Sequence, residues 1–311
     1  MKKILLVGSS NMDLSMNLYK IPAPGETLLD DGGVAYTPGG KGANSAVAFA
    51  KLGGECVFCT KLGKDAHGQK LFNYYKEIGI NTSYIKVDPD APTGLAVVMK
   101  EADGSNRIVV YPGANRTLNN DNIIESFKSN PDALYIGFEI PFNIALAAAK
   151  IASAKGIPIF VDAAPASKEY PLESLPPLEV FSPNETETFE YTGIMPKGTE
   201  SCLQAAYALK NKVNAKYIVI KLGARGAFFY DGKHFDMIPA YRPDAVVDTT
   251  AAGDTFTAAL TLEYLRSGDI RNAIKYGAAA AAIAVSRKGA GTSVPTAAEI
   301  REFAMKRMQK A

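Results

Sequence analysis

Tryptophan is absent from this sequence, histidine occurs twice and cysteine three times. Cys56, Cys59 and Cys202 are too few and too unevenly placed for a disulfide framework. Cys56 and Cys59 form a C-x-x-C, which could be a redox pair or half a zinc site. No second ligand pair accompanies it, and it lies in the apolar run 56–60, so core thiols are expected. His67 and His234 lack metal-ligand companions and are expected as surface or turn residues. No H-R-D triplet occurs, which excludes the protein-kinase pattern, and no G-x-S-x-G elbow, which weakens a serine hydrolase. A G-x-x-x-x-G-K-[ST] loop and a G-x-G-x-x-G after the first strand are missing too, so the P-loop and dinucleotide fingerprints are excluded.

Charge of one sign is also lacking. The 34 Lys and Arg stand against 32 Asp and Glu, leaving a net charge of +2. That removes any strong electrostatic case for nucleic acid or an anionic membrane as partner. No apolar run approaches the roughly 20 residues of a membrane span. The apolar start at 4–7 runs at once into Ser9, Ser10, Asn11 and Asp13, unlike a signal peptide. A reduced, cytoplasmic, soluble protein is the expectation.

What is present is an ordinary globular composition, 47% hydrophobic and 21% charged, over 311 residues, enough chain for a substantial core. Short apolar runs at 4–7, 56–60, 133–138, 157–161, 180–182 and 217–222 read as buried strands. Segments 43–52, 69–78, 144–154 and 202–210 carry apolar residues at helical spacing between most of them. Strands alternating with helices predict an α/β fold with a doubly wound, mostly parallel sheet flanked by helices. Segment 11–38, rich in Pro and Gly, breaks that rhythm. So does 93–111, a hairpin of 94–100 and 107–111 about an Asp103-Gly104 turn. Both are expected to supply a small β-sheet lid on one domain spanning 1–311. The C-terminal third is expected to be helical over 254–265, 270–287 and 297–309. Its alanine run 278–282 suggests close packing on a neighbouring element.

Three motifs carry chemistry. In Gly39-Gly40-Lys41-Gly42-Ala43-Asn44, the glycines permit a sharp turn and a close backbone approach to a ligand, while Asn44 presents an amide from the first helical turn. A purely structural turn would read the same. In Asp248-Thr249-Thr250-Ala251-Ala252-Gly253-Asp254, small residues open a helix, so the N–H groups of Ala252, Gly253 and Asp254 form an anion site. Asp254 could cap that helix, or take a proton from an attacking hydroxyl. Ser182-Pro183-Asn184-Glu185-Thr186-Glu187 follows a strand. It fits a metal-phosphate site, but taken alone it favours a capping box of Asn184 with Glu187.

Taken together and in this order, the three motifs resemble those of the ribokinase-like family of carbohydrate and nucleoside kinases, over residues 4 to about 300. Gly8 to Asp13, Pro24-Gly25-Glu26-Thr27, Pro112 to Asn115, Ala164-Pro165-Ala166 and Ser286 to Ala290 resemble its ribokinase branch. One departure is Asp162-Ala163, where that branch usually shows Asn-Pro; it is expected to lie away from the chemistry. The resemblance implies ATP-dependent phosphorylation of ribose at O5, with deoxyribose, fructose or a nucleoside as alternative acceptors. It implies Asp254 as general base and Ala251, Ala252 and Gly253 as an anion hole for the phosphoryl group. Asn11, Asp13, Gly39, Gly40, Lys41, Asn44 and Glu139 match sugar-binding positions. Asn184 and Glu187 would organise Mg²⁺, and Lys221, Gly223 and Gly226 match the nucleotide-side loop. An activating K⁺ would be held by Asp248, Thr250, Ala284, Arg287, Gly289 and Ser293. The family also implies a homodimer formed through the lid. A non-enzymatic sensor on the same fold is a third reading, against which the retention of Asp254, Gly253, Asn184 and Glu187 argues.

Overall fold

The computed structural model describes residues 1–101 and 105–308. Its elements run in the order β1 (Lys3–Val7), β2 (Asn11–Leu18), β3 (Val34–Gly39), α1 (Lys41–Lys51), β4 (Glu55–Gly63), α2 (Ala66–Glu77), β5 (Ile85–Asp88), β6 (Gly94–Glu101) and β7 (Asn106–Tyr111). Then follow α3 (Asn120–Ser126), β8 (Ala133–Gly137), α4 (Phe142–Ala154), β9 (Ile159–Asp162), β10 (Leu178–Ser182), α5 (Glu185–Thr192), α6 (Thr199–Lys210) and β11 (Ala215–Lys221). The last are β12 (Ala227–Tyr230), β13 (Phe235–Ile238), α7 (Ala252–Ser267), α8 (Ile270–Ala284) and α9 (Ala297–Met308).

Nine strands form one sheet in the order β13-β12-β11-β10-β9-β8-β1-β4-β5. It is parallel from β11 to β5, with β12 and β13 antiparallel at one edge. β1 explains why its strands read as continuous apolar runs. Ile4 and Leu6 pack into a core with α1, α7 and α8, while Leu5 and Val7 face a second core with α4 and α6. A strand covered on both faces has no polar side to alternate with. The chain leaves β1 toward β4 on one side and reaches β8 on the other, so the order reverses beside β1. In open α/β sheets, ligands bind beyond the carboxyl ends of the strands at such a reversal.

The second sheet has the order β3-β2-β6-β7. Its hairpin pairs Leu95 with Tyr111 through Lys100 with Asn106; the Asp103-Gly104 turn lies outside the described residues. β2 also pairs in parallel with β6, Asn11 beside Gly94.

Several boundaries differ from the sequence reading. The helix expected over 270–287 ends at Ala284, with Val285 as its cap, and turns follow. Residues 157 and 158 precede β9, because Pro158 has no N–H to give a ladder. The helix expected over 297–309 is described to Met308; Gln309 lies outside the described residues. α3, β5, β12 and β13 lie outside the sequence expectation: each is short, and β5, β12 and β13 are edge or near-edge strands with weak patterns. Close packing of the alanine run does occur. A Cβ on Gly277, just before the run, would come within 2.8 Å of the Phe256 carbonyl on α7. Cys56, Cys59 and Cys202 are buried free thiols, and burial pushes the Cys59 thiol up to about 12.

Candidate active site

The first turn of α7 organises the site. Ala251 is the cap residue, in the left-handed region at φ 60°, and no side chain caps the helix. Asp254 therefore does not cap it. Its Oδ2 accepts a hydrogen bond of 2.8 Å from Asn44 Nδ2 on α1, and the residue is only 5% exposed. Burial raises its carboxyl to about 6, against the pull of Lys41. The helix ladder begins with Thr255 N–H to Ala251 O. The Gly253 and Asp254 N–H groups lie ahead of that bond and have no intrahelical partner. The Ala252 N–H differs from the sequence expectation, because it donates to Thr249 O at 3.3 Å.

The glycines before α1 have distinct reasons. A Cβ on Gly39 would fall 2.0 Å from Asp13 Oδ2, so glycine there makes room for that carboxylate. Gly40 takes φ 90° to turn β3 into α1. Asp13 Oδ1 is buried without a hydrogen-bond partner. Burial, with Glu139 and Asp254 nearby, raises the Asp13 carboxyl to about 7. Glu139 accepts from the Ser9 hydroxyl and, at 2.9 Å, from the Lys41 N–H. Asn11 is 1% exposed, and its Oδ1 accepts from Asn115 Nδ2 at 2.8 Å. Lys41 sits among Asp254, Asp162, Glu187 and Glu139, whose charges hold its ammonium well above the usual lysine range.

A polar cavity of about 370 Å³ opens beside these groups, lined by Lys41, Asn184, Glu187, Lys221, Gly253 and Asp254 among others. Asn184 and Glu187 do form the capping box of α5: Asn184 Oδ1 accepts from Glu187 N–H, and Glu187 Oε2 accepts from Asn184 N–H at 2.7 Å. The box holds the Glu187 carboxylate at the cavity wall, where burial raises its carboxyl above the usual range. A second, largely apolar cavity of about 320 Å³ adjoins it, between Tyr241, Pro243, Phe256, Ala278, Ala282 and Val285. Lys221, Gly223, Thr249 and Gly253 line both. Gly223 and Gly226 shape the turn after β11. At Gly226, φ is 97° and a Cβ would meet Ile238 O at 2.0 Å.

Of the other expected ligands, Thr250 and Gly289 meet Asp248 ahead of α7. Asp248 Oδ1 accepts from Thr250 N–H and hydroxyl, and its Oδ2 from Gly289 N–H at 3.1 Å. Burial opposes ionisation, but these donors hold the Asp248 carboxyl below the usual range. Ala284 O accepts from Arg287 N–H, and Ser293 Oγ donates to Ala290 O. One carboxylate with carbonyl and hydroxyl oxygens is a hard donor set that suits a hard cation rather than a soft metal.

Two residues were misread or missed. Asp162 does not lie away from the chemistry: its Oδ1 pairs with Lys221 Nζ at 2.8 Å inside the polar cavity. Its position at the carboxyl end of β9 was the available signal. Asn115 stands in the sequence only as part of a family-like run, yet it binds Ser10, Asn11 and Pro112 together. His67 and His234 stay outside the site; His67 stacks on Tyr36, and His234 closes a turn with Asp231.

Comparison with known proteins agrees with this fold. Residues 1–297 match the pfkB family of carbohydrate kinases. A ribokinase of Staphylococcus aureus is 34% identical over 304 residues, covering 96% of this chain and 99% of that one. A bifunctional ribokinase/ribose-5-phosphate isomerase A of Fructilactobacillus sanfranciscensis is 37% identical over 95% of this chain, which spans 55% of that protein's length. The structure of an Arabidopsis thaliana ribokinase complexed with ribose and ATP superimposes with a TM-score of 0.87 at 31% identity, over 97% of this chain and 98% of that one. The chain belongs to the pfkB family of carbohydrate kinases.

Proposed function

We propose that this protein transfers the γ-phosphoryl group of ATP to O5 of D-ribose. The observation that carries the reading is Asp254: a buried carboxylate, not used as a cap, held by Asn44 at the first turn of α7. Ribose lies over Asn11, Asp13, Lys41, Asn44 and Glu139. The unpaired Asp13 Oδ1 accepts from a sugar hydroxyl, and glycine at 39 and 40 lets the sugar approach the backbone. Such a set rejects an acceptor lacking a hydroxyl, since buried polar groups then stay unpaired. This favours ribose over deoxyribose, and the absence of tryptophan disfavours a nucleoside, whose base wants a stacking platform. The adenine side of ATP fits the apolar cavity beside Tyr241 and Phe256, with the phosphates passing Lys221, Gly223 and Gly226 toward Gly253.

In the reaction Asp254 takes the proton from the 5-hydroxyl as O5 attacks the γ-phosphorus. The bond to the β–γ bridging oxygen breaks, ADP leaves, and Asp254 returns the proton to solvent. The Gly253 and Asp254 N–H groups hold the charge on the transferred group, and positioning and electrostatics supply most of such catalysis. Asn184 and Glu187 would hold Mg²⁺ through its waters, which neutralises phosphate charge. Asp248, the Thr250, Ala284, Arg287 and Gly289 carbonyls and Ser293 would hold K⁺, whose charge orders the turn 248–254.

The four-stranded sheet acts as a lid on the single kinase domain. Its exposed Val34, Tyr36, Ile108 and Val109 support pairing of two copies through it; a monomer by light scattering at micromolar concentration overturns that pairing. Buried free thiols fit a reducing cytoplasm. The deciding experiment is ADP release over ribose, deoxyribose, fructose and adenosine, each with and without K⁺. Ribose with K⁺ is expected to give the highest kcat/KM; a higher value for any other acceptor replaces ribose with that acceptor.

A further inference from the structure

We infer that Asp162 is a positioning residue for the nucleotide phosphates: it holds Lys221 so that its ammonium stays over the first turn of α7. The inference rests on the kinase reading for its meaning. Asp162 ends β9 and Lys221 ends β11, and β10 lies between them. Their side chains are 7% and 12% exposed, and they meet at 2.8 Å. The second Asp162 oxygen accepts from the Tyr135 hydroxyl at 3.3 Å, which itself accepts from Ser45 on α1 at 3.1 Å. Asp162 is thus fixed from two elements before it touches Lys221. Lys221 Nζ also donates to Thr257 Oγ1 at 3.3 Å, one turn along α7 from Gly253. It stands 3.8 Å from where a Cβ on Gly253 would be.

This placement puts a cation at the junction of the polar and apolar cavities, which both count Lys221 in their walls. A triphosphate joining an adenine in one to a sugar beside the other has to pass it. Two nearby carboxylates, Asp254 and Glu187, also attract Lys221. Without Asp162, Lys221 keeps only the Thr257 hydroxyl against them, and pairing with Asp254 would take the ammonium off the phosphate path. Ion pairs this buried respond strongly to loss of one partner, whereas exposed pairs do not.

The test is a double-mutant cycle on ADP binding by calorimetry in magnesium-containing buffer, with ribose binding measured beside it. Lys221→Met is expected to weaken ADP about tenfold and Asp162→Asn about three- to tenfold. The double variant is expected within about twofold of Lys221→Met alone. Ribose affinity is expected to stay within about twofold throughout, and Lys221→Arg to recover most of the loss. Losses that multiply in the double variant, or an Asp162→Asn protein with wild-type ADP affinity, overturn the inference. Should Asp162→Asn not fold, Tyr135→Phe replaces it. A smaller loss of ADP affinity, absent in the Lys221→Met background, supports the inference; a loss that persists there overturns it. Because the readout is nucleotide binding, a wild-type protein that binds ADP but phosphorylates no sugar refutes the kinase reading alone.

Discussion

The two sides of Asp254 are built on opposite plans. On the side proposed for the sugar, the charges of Glu139 and Asp254 reach the buried Asp13, one of whose oxygens has no partner among the described residues. The side proposed for the nucleotide is made of small residues, turns and an apolar wall, with Lys221 as its cation. On the proposed function, the first side would read its ligand by hydrogen bonds that must all be matched, and the second would read shape and charge. The contrast would then put specificity on the first side and the driving charge on the second, with Asp254 belonging to both.

The largest test of that division is Asp254→Asn. It is expected to lower kcat about 10³-fold while calorimetric affinity for ribose stays close to wild type. Near-normal turnover would remove Asp254 from the base role. Gly39→Ala comes next, since its Cβ would collide with the Asp13 carboxylate. Ribose affinity is expected to fall roughly 10- to 100-fold, with ADP affinity unchanged. An equal loss for ADP would mean that the two sides are not separable.

The remaining tests use pH. Asp254 is raised to about 6, and a base works only when deprotonated. Sugar-dependent kcat/KM is therefore expected to fall about tenfold per unit below pH 6 and to level off above it. The smallest effect concerns stability. Asp13 is raised from 3.8 to about 7, so the folded protein binds more protons than the unfolded chain between those values. Stability at this site is greatest below about pH 4 and is lost as pH rises toward 7. Asp13→Asn is thus expected to raise the melting temperature by roughly 5 °C at pH 8, and by little at pH 4. A variant equally stabilised at both values would show that the cost of Asp13 is not its charge.

Legibility in the sequence was uneven for physical reasons. The strands β1, β4 and β8 stood out because burial on both faces makes them uniformly apolar. The short strands β12 and β13 did not, because four residues at an edge carry little pattern. Gly39 to Asn44 and Asp248 to Asp254 were readable because each function is local: a turn, a helix start and a side chain within one segment. Asn184 and Glu187 were readable twice over, since the same spacing makes a capping box and a cavity wall. Asp162 was misjudged because its partner Lys221 lies 59 residues away, and nothing near it in the chain signals that pairing.

By itself, then, the order of residues determined the alternation of strands and helices, the glycine turns and the small-residue start of α7. These depend on backbone conformation and hydrogen bonds within a few residues. Only the tertiary structure decided that Asp254 is held by Asn44 rather than capping its helix, that Ala252 is partly spent on Thr249, and that Asp162 faces Lys221. Those outcomes arise where the carboxyl ends of separate strands converge. There burial and neighbouring charges set what each side chain does, and no interval of sequence contains them.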